Sequence, residues 1–165
     1  MSKIQVALLG ALILISFILT AIATFSNYWI TWHAGPVHLH SGLVPWNSHE
    51  PGWLNAASWC MFCTFGLYFP LFALFLFSAF KVYHHGCSHG VRAHFFGVLI
   101  MCLMIACFQI AAFTLVAINA VNYTFWRTNI ANKSIGSSAF LAVISGVLMA
   151  LATVLSGNVA QRHCR

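Results

Sequence analysis

Four long apolar runs divide the chain: Ile4 to Phe25, Ala56 to Phe80, Phe95 to Ala120 and Ala139 to Val159. At about 1.5 Å rise per residue, a helix of roughly 20 residues crosses a hydrocarbon core of about 30 Å. The pattern predicts an all-α membrane protein, a single four-transmembrane-helix bundle with spans at about 4–26, 56–80, 95–120 and 139–159. Between them lie outer loops at 27–55 and 121–138 and a polar inner hinge at 81–94 with Gly86 and Gly90. Lys3 with Ala21-Ile22-Ala23 also fits a signal peptide, but the apolar stretch outlasts a usual signal core of about 7–15 residues.

Within the spans, polar and small residues fall at helical spacing. Ser16, Thr20 and Thr24 recur every four residues, so their hydroxyls share one face and can bond a neighbouring helix or their own backbone. Pro70 interrupts the second run, where a kink is expected. Gln109 and Thr114 are the more polar members of the third run, which also carries Cys102 and Cys107. Ser138, Ala142, Gly146 and Ala150 form a small-residue ridge along the fourth, suited to close packing inside the bundle or to a homo-oligomer face.

Composition strengthens the membrane reading and removes much chemistry. The 165 residues are 61% hydrophobic and 5% charged, against about 25% charged in soluble domains. Glu50 is the one acidic side chain, which excludes paired-carboxylate catalysis, carboxylate proton relays and magnesium cages. The +6 net charge forms no nucleic-acid patch. Lys3, Lys81, Arg92, Arg162 and Arg165 share one side of the predicted topology, with Arg127 and Lys133 on the other. The excess of positive charge therefore places both termini in the cytoplasm. Two glycosylation sequons, at Asn122 and Asn132, then face the lumen or cell exterior, which is expected of a multi-pass protein of the plasma membrane or an endomembrane or granule membrane.

The first outer loop concentrates the recognition chemistry, holding four of the nine histidines and four of the six tryptophans between Asn27 and Trp53. In an extended segment His38 and His40 point the same way, with His33 and His49 able to approach them, so protonation or a metal can act there. Trp29, Trp32, Trp53 and Trp59 flank the spans as expected of interfacial anchors, whereas Trp46 lies mid-loop. Cys60 and Cys63 form C-x-x-C at the start of the second span, readable as a redox pair, a candidate disulfide or packing thiols. The hinge residues His84, His85, Cys87, His89 and His94 have metal-ligand side chains but no recognised zinc spacing, and no metal or other cofactor is predicted. Cys87 and Cys164 are expected palmitoylation sites.

Four spans, inside termini, the SNYW string ending at Trp29 and the HSGL string from His40 to Leu43 resemble the claudin superfamily, which includes the peripheral myelin, epithelial membrane, lens fibre and natural killer cell granule proteins. Trp29, Gly42 and Leu43 match the family's first-loop motif. Val44 stands where the motif has Trp, and its usual loop cysteines are absent between Trp46 and Trp59. The resemblance implies a small extracellular β-structure from the first outer loop. It implies a non-enzymatic tetraspan acting in adhesion, junction organisation or regulation of other membrane proteins, with Leu43 and Trp46 as the expected partner contacts. Expected partners are membrane lipid and other membrane proteins or further copies of itself, in cis or in trans. The alternatives are a thiol oxidoreductase using Cys60 and Cys63, or a small channel or transporter with Ser16, Thr20, Thr24 and Gln109 as its polar route.

Overall fold

A computed structural model describes residues 3–34, 37–43, 51–85, 89–122 and 132–162. Four helices, α1 (Lys3–Phe25), α2 (Gly52–His85), α3 (His89–Asn122) and α4 (Ser137–Arg162), run up and down, and each is long and apolar enough to cross a membrane. The chain is thus a multi-pass integral membrane protein. Large apolar side chains cover the outside of every helix, among them Ile18, Phe69, Leu103 and Val154. Lipid is as apolar as they are, so large apolar side chains lie both inside and out, and the small and hydroxyl side chains buried among them let the helices approach.

Among the described residues, three strands cap one end of the bundle. β1 (Ile30–Ala34) lies between β2 (Val37–Ser41) and β3 (Asn132–Ile135), antiparallel to both. The register sets Thr31 opposite His40 and Ser134, and His33 opposite His38 and Asn132. Only the resemblance had pointed to a sheet, and β3 recruits the second loop to complete it.

One feature departs from the sequence expectation. The hinge expected at 81–94 is mostly helix, because nothing between Lys81 and His85 breaks the hydrogen-bond ladder before Gly86; α2 and α3 therefore have 34 residues each and are about 51 Å long. α2 runs through Pro70, an exposed position, where the ring removes the N–H that would bond the Gly66 carbonyl.

The small-residue ridge of α4 is buried at Ser138, Ala142 and Gly146 but exposed at Ala150. Steps of four residues drift about 40° each on a helix of 3.6 residues per turn, so by Ala150 the ridge has rotated about 120° away from the interior.

The core divides into two apolar clusters. One, at the hinge end, includes Leu9, Ile13, Leu71, Phe95, Ile105 and Met149. The other, beneath the sheet, includes Trp29, Leu43, Leu54, Met61, Val116 and Ala142.

Candidate functional site

The sheet is joined to the bundle through the segment 26–29, which leads from α1 into β1. Trp29, the residue that matches the loop motif, is fully buried rather than interfacial, and its Nε1–H donates to the Ala23 carbonyl at 2.6 Å. The last turn of α1 leaves carbonyls without helical partners, and the indole supplies one donor while filling the space below the sheet. Two glycines press against this segment. A Cβ on Gly42 would lie 2.7 Å from Asn27 Cα and 3.0 Å from the Ser26 carbonyl oxygen. A Cβ on Gly136 would overlap the Tyr28 carbonyl. The close approach is sealed by backbone bonds from Trp29 N–H to the Ser41 carbonyl (3.1 Å), Gly136 N–H to the Trp29 carbonyl (2.8 Å) and Ser138 N–H to the Tyr28 carbonyl (3.1 Å). Ser26 and Ser138 hydroxyls add a bond of 2.8 Å.

Leu43 is also fully buried, in the same apolar cluster as Trp29. This corrects the expectation that Leu43 meets a partner directly: an aliphatic side chain next to Gly42 has the bundle's own apolar interior within reach. Exposed groups lie above that base. Tyr28 and His40 rings pack at 4.6 Å between centroids, and both are exposed, as is Ser134 on β3. The result is a small polar and aromatic face on a base with no room to shift. Trp46 and His49 lie outside the described residues, as do Cys87 and Cys164. Asn122 is the last residue of α3, and Asn132 opens β3 opposite His33.

A second constellation sits at mid-height between the two apolar clusters. Ser16 and Thr20 of α1, Tyr68 of α2, Gln109 of α3 and Ser145 of α4 are all fully buried and bonded to one another. Thr20 Oγ1 donates to the Ser16 carbonyl at 2.8 Å. Gln109 Nε2 donates to Thr20 Oγ1 at 2.6 Å and to Ser145 Oγ at 2.9 Å. Ser145 Oγ donates to the Ser16 carbonyl (2.9 Å), and Ser16 Oγ donates to the Ser145 carbonyl (3.1 Å). The Tyr68 hydroxyl, 2.6 Å from Ser16 Oγ, completes the set as a donor to it. Every O–H and N–H of the five side chains then has an acceptor, as burial in hydrocarbon demands. Gln109 Oε1 alone is left without a hydrogen-bond partner.

The bonds of this layer link all four helices to one another. Sequence reading found Ser16, Thr20 and Gln109 but missed Tyr68 and Ser145. The usable signal was height: each is a polar residue midway along an apolar span, where a hydroxyl needs a partner from another helix. Thr24, grouped with Ser16 and Thr20 in the sequence, instead bonds its own helix at the Thr20 carbonyl, 2.7 Å away.

The C-x-x-C pair lies on the half of α2 nearer the sheet. Cys63 is exposed on the lipid side and Cys60 half-buried, and both thiols are free. Residues three apart on a regular helix hold their Cβ atoms about 5–6 Å apart, and a disulfide needs about 3.8 Å, so a bond between them would require this turn of α2 to tighten.

Comparison with known sequences adds one match. The family model described as "Tight junction protein, Claudin-like" matches residues 1–165 of the chain. No curated protein matches it.

Proposed function

The chain belongs to the claudin-like family of tight junction proteins, and from that premise we propose that it works without catalysis, organising contacts between membranes or among membrane proteins through its outer sheet. One observation carries the reading: the sheet is fixed at its base by Trp29, Gly42 and Gly136, while Tyr28, His40 and Ser134 remain exposed above it. A face that is already ordered loses little conformational entropy on binding, and Tyr is well suited to such a contact. Trp46, in the same loop by sequence, is the further partner contact of this proposal.

The charge distribution supports a sheet on the lumenal or extracellular side with termini inside, and sequons at Asn122 and Asn132 are compatible with sugar on that side. Partners are other membrane proteins or further copies of the chain, in cis or trans. Conduction is less well supported than adhesion, because the polar layer lies between two apolar clusters rather than continuing along the bundle.

The test uses two differently tagged copies, expressed in the same cells for cis contact and in separate apposed cells for trans contact. Tyr28→Ala with His40→Ala, or Trp46→Ala, should lower crosslinked recovery about tenfold, as loss of an aromatic anchor does, while thermal melting of the purified protein is unchanged. Unaltered capture in both arrangements, together with unaltered accumulation at cell contacts, would sink the proposal.

A further inference from the structure

The end of the bundle opposite the sheet holds a basic cluster on the seam between α2 and α3. Lys81 Nζ lies 3.3 Å from His94 Nε2 and 4.7 Å from the centroid of the Phe77 ring. Phe77 meets His94 edge-on at 5.2 Å. An ammonium has donors only, so His94 accepts at Nε2 and carries its own proton on Nδ1. Two of the three ammonium hydrogens then remain for other acceptors. His84, nearly a turn beyond Lys81, is exposed and packs on Phe80 at 4.4 Å between ring centroids. Phe77, Phe80, Lys81 and His84 fall within about 100° of arc on α2, so aromatic and nitrogen-bearing side chains make one stripe.

The chain cannot neutralise this stripe with a carboxylate side chain of its own. Glu50, the one acidic side chain, precedes α2 by two residues, and Lys81 is 29 residues beyond Gly52, or about 44 Å along the helix. Its height is informative as well. α2 has 34 residues and is about 51 Å long against a hydrocarbon core of about 30 Å, so its final turns reach the headgroup zone while Phe77 and Phe80 stay exposed to lipid just below. An anion that also brings hydrocarbon satisfies both halves of the stripe.

We propose that the α2–α3 seam at the hinge end binds an anionic phospholipid, with Lys81, His84 and His94 meeting the headgroup phosphate and Phe77 and Phe80 lying along the acyl chains. Arg92 provides an internal comparison. It stands about 160° around α3 from His94 and packs over Phe96 at 5.6 Å, so it adds charge at the same end of the bundle but outside this seam.

The full chain, purified in neutral detergent, is offered equal phosphatidylserine and phosphatidylcholine, and retained lipid is counted by native mass spectrometry. The wild type should retain phosphatidylserine preferentially, and Lys81→Gln should reduce that preference about fivefold, the effect of one basic residue at an anionic surface. Lys81→Arg should keep it, and Arg92→Gln should change it less than twofold. His84→Ala, at an exposed position, should reduce it about twofold and serves if Lys81→Gln does not fold. Excess inorganic phosphate should leave the lipid in place. Equal losses in Lys81→Gln and Arg92→Gln would show a diffuse charge effect, and displacement by inorganic phosphate would show an anion site without lipid selectivity; either outcome overturns the proposal, as does an unchanged preference in both Lys81→Gln and His84→Ala.

Discussion

The sheet junction and the mid-bundle polar layer both tie distant parts of the chain together, but by opposite means. At the junction the decisive property is size: segment 26–29 lies between Gly42 and Gly136 so closely that backbone meets backbone, and the hydrogen bonds are mainly N–H to carbonyl. In the polar layer the decisive property is chemistry. Five side chains from four helices satisfy one another, and the adjoining glycine has room to spare, since a Cβ at Gly146 would meet Gln109 Oε1 at 3.4 Å and Gln109 Cβ at 3.5 Å, ordinary contacts. One region excludes atoms and the other requires particular ones, so the same substitution should behave differently in the two places.

Gly136→Ala tests the first region most severely. The new methyl would overlap the Tyr28 carbonyl, and neither backbone can retreat without breaking the Gly136–Trp29 bond. A loss of about 4 kcal/mol or more is expected, at the upper end of overpacking effects, read as failure to recover monodisperse protein or as a steep fall in melting temperature in detergent.

Gln109→Leu should cost less, about 1 kcal/mol. It removes the donors to Thr20 and Ser145 but also removes the unpartnered Oε1, so the two effects offset each other in part. Denaturant or thermal unfolding in the same detergent measures it, and a loss as large as that of Gly136→Ala would mean that the polar layer, not the junction, is the harder constraint.

Gly146→Ala is expected to be the mildest, within about 0.5 kcal/mol of wild type. If it matched Gly136→Ala, the distinction between a size-limited and a chemistry-limited region would collapse.

The spans were readable because a hydrocarbon solvent imposes a local rule: about 20 successive apolar residues announce a crossing whatever surrounds them. Ser16 and Thr20 were readable as a polar face by their spacing. What they would bond to was not, since Tyr68 and Ser145 lie 52 and 129 residues from Ser16 and each is an unremarkable residue in its own helix. Trp29 was misread as an interfacial anchor for a related reason: a tryptophan at the end of a span looks the same in sequence whether it turns toward headgroups or inward to the Ala23 carbonyl. Leu43 likewise looked available because its neighbours in sequence are loop residues.

The sequence by itself determined that this is a four-span membrane protein without paired carboxylates, because apolar run length and residue inventory do not depend on how the chain folds back. Only the tertiary structure decided which residues of the sheet end are exposed and which are buried beneath them. That outcome turns on contacts between segments far apart in sequence: β3 pairing with β1, Gly136 against Tyr28, and Leu43 entering the cluster of Trp29. Burial is a property of neighbours in space, and neither the spacing of residues nor their type records which neighbours will arrive.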